Sequence, residues 1–194
     1  MTTKWYAAVL ADMKTRVVTD SRTKEQNAEH RECWNRMLDI GIGTGSALAA
    51  NSAAIVANRV HVVGIDYDAA YIKKAEAVIR KVGLEQRARV HCCSIFEERL
   101  AGRLLPANED RFDTAYFSGS FTLLPDPAKA LQICRELVKP NGYIYITQTF
   151  QTTCARLSAR ARSSCMSLMP LLCRARRWIP ESGESFASKA CCSC

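Results

Sequence analysis

The chain has 194 residues, a 48% hydrophobic fraction, 27 Lys and Arg against 19 Asp and Glu, and a formal net charge of +8. That length suits one domain with a full core, and that composition excludes a disordered chain. No run of 18 or more apolar residues occurs, and Met1 to Lys14 lacks a basic segment followed by an uninterrupted apolar core, so neither a membrane span nor a secretory signal is expected and the cytoplasm is the expected compartment. The ten cysteines are read as mostly reduced thiols, because α/β patterning of this extent needs no disulfide scaffold.

Residues 1–35 form a lead-in. Within it Trp5, Tyr6, Val9, Leu10 and Met13 fall at helical spacing, whereas Thr19 to Arg31 is polar and charged. The strongest signal in the chain follows, in Arg36-Met37-Leu38-Asp39-Ile40-Gly41-Ile42-Gly43-Thr44-Gly45-Ser46. An apolar run with an acid near its end, broken by glycines at alternate positions, reads as strand, tight turn and helix. Glycines lack Cβ, so the backbone takes unusual dihedrals there and a ligand approaches its amides closely. A dinucleotide-binding turn would place its third glycine at position 46, where this chain has serine; here the third glycine comes one residue early, at Gly45. Ser46 to Asn58, rich in alanine, suits one helix packed on a sheet, with its N-terminus aimed at the turn and able to receive a carboxylate.

The next strand, Arg59 to Asp66, ends in an acid about 20 residues beyond the turn, the distance at which a second parallel strand presents a carboxylate to both hydroxyls of a ribose. Asp68 serves better than Asp66 as N-cap of the helix that follows. That amphipathic helix, Ala69 to Val82, buries Ile72, Ala75, Val78, Ile79 and Val82 and closes at Gly83. A third strand is expected at Ala88 to Ser94. Within it His91-Cys92-Cys93 does not make a metal site, because adjacent strand residues point to opposite faces. A fourth strand, Arg111 to Phe117, runs into the loop Ser118 to Pro127. Asp126 and Pro127 then begin a helix reaching Lys139, and Lys139-Pro140-Asn141-Gly142 turns into a fifth strand, Tyr143 to Phe150.

Asp39-x-Gly41-x-Gly43-x-Gly45, the acid-ended second strand and the Leu137-Val138-Lys139-Pro140-Asn141-Gly142 approach to the fifth strand together resemble the class I S-adenosylmethionine-dependent methyltransferases over residues 36–150. The resemblance implies an α/β, Rossmann-like, doubly wound and mostly parallel sheet of about five strands, with S-adenosyl-L-methionine as cofactor. It implies that Asp39, Gly41, Gly43 and Gly45 surround the methionine part of the cofactor and that Asp66 takes the ribose. Tyr67 would lie beside adenine, Ser94 and Ile95 at the adenine edge, and Ser118 at the transfer point. Such enzymes often carry an acid at the position of Ser94, which as an uncharged serine still accepts a hydrogen bond. In members that methylate the amino groups of bases and protein amides, Asn or Asp with two prolines and an aromatic stands where this chain has Ser118-Gly119-Ser120-Phe121, so a small-molecule acceptor is expected instead of nucleic acid. An N-terminal segment of this kind often lies over the cofactor pocket.

Residues 151–194 depart from that likeness. They hold six of the ten cysteines and seven basic residues against two acids, without apolar alternation, and read as a loosely ordered tail. If no further strand covers Tyr143 to Phe150, that edge favours pairing with a second copy. Two rival functions remain at this stage: a methyltransferase-like binding or regulatory protein without catalysis, and a nicotinamide-dependent oxidoreductase. Neither a catalytic side chain nor a metal ligand is assigned.

Overall fold

A computed structural model describes residues 2–19, 35–105 and 111–148. The polar segment after Thr19 and the basic tail, with their expected properties, lie outside the described residues. The order of elements is α1 (Thr2–Thr19), β1 (Asn35–Ile40), α2 (Ser46–Ala50), α3 (Ser52–Ala57), β2 (Val60–Asp66), α4 (Ala69–Lys81), β3 (Ala88–Cys92), α5 (Leu100–Leu104), β4 (Phe112–Ser118), α6 (Pro127–Leu137) and β5 (Val138–Thr147). The five strands make one sheet in the order β3-β2-β1-β4-β5, and every pairing is parallel.

β1 is the central strand, with Leu38 opposite both Val63 of β2 and Ala115 of β4. A central parallel strand is covered on both faces, which is why Met37, Leu38, Asp39 and Ile40 are all buried. One face carries Leu38, Ile40, Val63, Ile65, Ala115 and Phe117 against α5 and α6. The other packs Met37, Val62, Tyr116 and Tyr145 against Tyr6, Val9 and Leu10 of α1, Leu48 of α2, Ile55 of α3 and Ile79 of α4. The chain therefore winds outward from β1 in both directions. The crevice at the carboxyl ends of β1, β2 and β4 lies where strand order reverses, the position at which open sheets of this kind bind ligands.

Helix α1 is a structural part of this core. Trp5, Tyr6, Val9, Leu10 and Met13, the residues at helical spacing, are all buried. Three polar ties fasten α1: Asn51 Nδ2 donates to Thr3 O at 3.1 Å, Asn58 Nδ2 donates to Leu10 O at 3.2 Å, and Tyr145 Oη donates to Asp12 Oδ2 at 2.6 Å.

Several boundaries differ from those expected. The single helix over 46–58 is two, broken at Asn51, whose backbone leaves the helical region at φ −113°, ψ 17° while its side chain reaches both Ala47 O and α1. β3 ends at Cys92 and not at Ser94. α6 stops at Leu137, since Lys139 precedes a proline and is pushed from helical geometry. β5 then starts at once, at Val138, so 139–142 form an irregular excursion within the strand and not a turn before it. Val138 pairs with Phe112 and Tyr143 with Thr114. A Cβ on Gly142 would stand 2.7 Å from Asp113 O, so the excursion closes only with glycine there. α4 ends as its glycine suggested: Gly83, at φ +69°, donates to Arg80 O, and Leu84 N donates to Ile79 O.

Candidate cofactor site

The site grows from the β1 turn. Gly41, Gly43 and Gly45 all adopt left-handed dihedrals, at φ +80°, +59° and +70°. The three glycines are not equivalent. A Cβ on Gly41 would fall 2.5 Å from Ser120 Cβ, and one on Gly45 would sit 3.3 Å from Ala75 Cβ, whereas one on Gly43 would meet nothing within 4 Å. Gly41 is therefore required by packing against the β4 loop, and Gly45 sits tightly against α4. Gly43 faces open space, the cradle that a closely bound ligand needs.

Asp66, at the end of β2, closes over this turn. Its Oδ2 accepts from Gly43 N at 3.0 Å and its Oδ1 from Asp68 N at 3.0 Å. The carboxylate is thus held by backbone donors at the edge of the cradle. Asp68 takes the capping role, accepting from Ala70 N at 2.7 Å. From the other side Ser120 Oγ donates to Ile40 O, joining the β4 loop to the end of β1.

Asp39 lies beneath the turn and is 1% exposed. Burial raises its pKa to about 7; the neighbouring Tyr6 hydroxyl lowers it and the charge of Asp66 raises it. Tyr6 Oη and Asp39 Oδ1 are both buried without a hydrogen-bond partner of normal geometry. Tyr6 packs edge-on against Tyr116, with ring centroids 5.5 Å apart. Tyr116 Oη in turn donates to Ser118 Oγ at 3.2 Å and shares a 3.0 Å bond with Thr147 Oγ1. Burial raises the Tyr116 pKa, against lowering by these two hydroxyls.

The residues singled out from sequence divide into two groups. Asp39, Gly41, Gly43, Gly45, Asp66 and Ser118 meet at the carboxyl ends of β1, β2 and β4, with Tyr67 following β2 and 83% exposed. Ser94 is exposed beyond β3, where its Oγ accepts from Phe96 N at 3.2 Å. Ile95 differs: its side chain is buried in the core on the α5 and α6 face, so any contact to an adenine edge would fall to its backbone. The helix-dipole argument for a carboxylate also weakens, because α2 has only five residues. Sequence reasoning missed Ser120, Tyr6 and Trp5. Trp5 brings α1 to the loop after β4, 3.8 Å from where a Cβ on Gly119 would stand. Helical spacing marked Tyr6 and Trp5 as buried, but nothing local connected them to Asp39 or Gly119.

His91-Cys92-Cys93 behaves as strand alternation requires, with Cys92 exposed and Cys93 buried. A shallow cleft bounded by Glu76, Arg80, Glu85 and Arg89 lies beside the amino-terminal end of β3, away from the glycine turn. Among the described residues no helix is long and apolar enough to cross a membrane.

Residues 9–185 match the profile of the family described as "Methyltransferase domain", and the chain belongs to that family. S-adenosyl-L-methionine is the cofactor of this family's domain. The chain is similar to the ubiquinone biosynthesis O-methyltransferase of Alkalilimnicola ehrlichii, with 37% identity over 109 residues, covering 56% of this chain and 39% of that one. It therefore spans about two fifths of that relative's length. The fold is shared with a putative sarcosine dimethylglycine methyltransferase from Galdieria sulphuraria, at TM-score 0.53 and 22% identity, covering 76% of this chain and 46% of that one. It is also shared with the [4+2]-cyclase SpnF, at TM-score 0.51 and 23% identity, covering 62% and 40%.

Proposed function

We propose that this chain binds S-adenosyl-L-methionine in the crevice formed by the β1 turn, the end of β2 and the β4 loop, and transfers its methyl group to a small-molecule acceptor. The observation that carries the reading is the left-handed Gly43, open on its outer side and tied through its N–H to Asp66. The similarity to a ubiquinone biosynthesis O-methyltransferase supports a small-molecule acceptor with an oxygen nucleophile as the first class to try.

The residues present fit the cofactor. Asp66 stands beside the turn, and Asp39 beneath it gains negative charge as pH rises through about 7, which favours a ligand carrying a sulfonium and an ammonium. Asp66 has lone pairs beyond those used by Gly43 and Asp68, and these suit ribose hydroxyl donors. The cofactor supplies a methyl group on positively charged sulfur, a bond that breaks as the bond to the acceptor forms. The protein's part is alignment of the acceptor behind that methyl, a contribution of up to about 7–11 kcal/mol. Ser118 and Gly119, at the end of β4, border the side from which an acceptor enters. No side chain is assigned as general base.

Calorimetric titration with S-adenosyl-L-methionine, S-adenosyl-L-homocysteine and NAD tests the reading. Binding of the first two without NAD supports it, and binding of NAD alone overturns it. A second reading is a protein that binds the cofactor without transferring its methyl group: this fold also serves a protein named for cyclisation, so fold alone does not fix the reaction. Transfer of labelled methyl to hydroxylated aromatic acceptors separates the two.

A further inference from the structure

We infer that Leu123, held outward on the loop after β4, is a specificity-determining residue: it meets an apolar part of the methyl acceptor, so the acceptor is amphipathic, a hydroxylated ring bearing an apolar substituent. The inference rests on the cofactor reading above and narrows its acceptor.

Among the described residues four large apolar side chains are exposed: Val56, Tyr67, Tyr71 and Leu123. A single exposed leucine needs no explanation, but the placement of these four does. Val56 lies in α3, which leads into the amino-terminal end of β2. The other three border the crevice. Tyr67 follows the last residue of β2, Tyr71 stands one helical turn before Ala75, the residue that abuts Gly45, and Leu123 lies in the loop after β4. β2 and β4 flank β1, so their ends are two strand spacings apart, about 10 Å. A ligand lying across the glycine turn therefore has the two tyrosines towards its β2 side and Leu123 towards its β4 side, the side that Ser118 and Gly119 border.

The loop is fixed in the attitude that exposes Leu123. Gly119 N donates to Thr147 O at 2.8 Å, Ser120 Oγ donates to Ile40 O, and Phe121 packs edge-on against Phe117 with ring centroids 5.2 Å apart. Phe121–Leu123 forms one 3-10 turn, with Leu123 N donating to Ser120 O at 3.1 Å and Leu124 N to Phe121 O at 3.3 Å. At three residues per turn Phe121 and Leu124 share one side, and both pack on the α5 and α6 core. Leu123 lies off that side and is 82% exposed. Ser120 abuts Gly41, so Leu123 stands one such turn, about 6 Å of rise, from the glycine turn. The chain carries no charged side chain from Ser118 to Pro125, while beside it lies a row of hydroxyls, with Tyr116 Oη bonded to Ser118 Oγ and to Thr147 Oγ1. Polar groups within and an apolar lip suit an acceptor whose oxygen points inward and whose apolar substituent points out. A charged substituent against Leu123 would lose water without gaining a partner.

The test uses the full chain with S-adenosyl-L-homocysteine bound, titrated with catechol and with catechols bearing a methyl, butyl or hexyl group. In the wild type, affinity should rise about twofold for each methylene, as for burial of one side of the chain, against about fourfold for complete burial. Leu123→Ser should flatten that gradient and Leu123→Met should keep it. Val56→Ser, which removes an exposed apolar side chain at the other end of the sheet, should also keep it. Affinity for S-adenosyl-L-homocysteine should be the same in all three variants. A flat series in wild-type protein that binds S-adenosyl-L-homocysteine overturns this inference alone, as does a gradient that survives Leu123→Ser or that Val56→Ser flattens equally. Loss of S-adenosyl-L-homocysteine affinity in Leu123→Ser would place the residue on the cofactor and overturn its role towards the acceptor. Failure of the wild type to bind S-adenosyl-L-homocysteine overturns the cofactor reading and this inference with it.

Discussion

Asp66 Oδ2 accepts the backbone N–H of Gly43 at 3.0 Å, a bond between the second strand and the first turn across 23 positions of sequence. The acid expected to hold a ribose therefore also shapes the glycine turn, and its removal has two effects. Asp66→Ala should weaken S-adenosyl-L-methionine binding by about 1.5–3 kcal/mol, the range for hydrogen bonds to a charged acceptor, and should lower thermal stability as Gly43 N and Asp68 N lose their partner. Calorimetry and thermal melting on one preparation measure both. Unchanged affinity in folded protein would remove Asp66 from the site.

The glycines should separate by property. Gly41→Ala forces a Cβ to 2.5 Å from Ser120 Cβ and should destabilise the fold. Gly43→Ala meets no atom within 4 Å, so its folded-state cost is left-handed strain, about 1–2 kcal/mol. Cofactor affinity should nevertheless fall further in Gly43→Ala, and Gly43→Val should abolish binding with near-normal helical content. Tight binding by Gly43→Val would mean that the turn does not hold the ligand.

Asp39 makes stability depend on pH with a definite sign. Its pKa rises from 3.8 to about 7 on folding, so between those values the folded state binds more protons than the unfolded state. Stability from this group is present at acid pH and is lost as pH rises towards and through 7. Urea unfolding of the wild type relative to Asp39→Asn should show that difference shrinking by about 2 kcal/mol from pH 5 to pH 8. A flat difference would mean that Asp39 is not held as a buried acid.

Much of this was legible in the sequence, and the failures share a cause. The strand β2, the Gly83 stop, the Asp68 and Asp126 caps and the glycine turn are written in residues close together, because β-branched runs, left-handed glycines and cap acids act locally. Asn51 was hidden because the group that holds it, Thr3 O, lies 48 positions away. Ile95 was assigned to a ligand although its apolar side chain enters the core, a choice set by how α5 packs. Tyr6 carried a burial signal with no sign of its carboxylate neighbour.

Asn51→Ala should show how firmly α1 is attached. It removes donors to Thr3 O and Ala47 O, and a melting-temperature loss equivalent to about 1–3 kcal/mol is expected. Protease cleavage within α1 should quicken in parallel. An unchanged melting temperature would show that apolar packing alone holds the helix.

Thiol chemistry gives a further check on the core. Burial raises the thiol pKa values of Cys134 and Cys93 to about 12 and about 11, and Cys92 is exposed. Among these three, iodoacetamide on native protein should label Cys92 first and Cys134 last, as read by peptide mass mapping. Early labelling of Cys134 would contradict its place between α6 and the sheet.

The central position of β1 bears on how the protein reaches its fold. Met37 pairs with Val62 in the near half of the chain and with Thr114, 77 positions away, in the far half. Closing the shorter loop loses less chain entropy, so β1, β2 and β3 have the advantage of associating first, with the Gly43 and Asp66 contact inside that half. The bond from Ser120 to Ile40 arrives only with β4. The ligand crevice is consequently the last seam to close, and a ligand bound across it would favour the joined halves over the separated ones, coupling occupancy to the final docking step of folding.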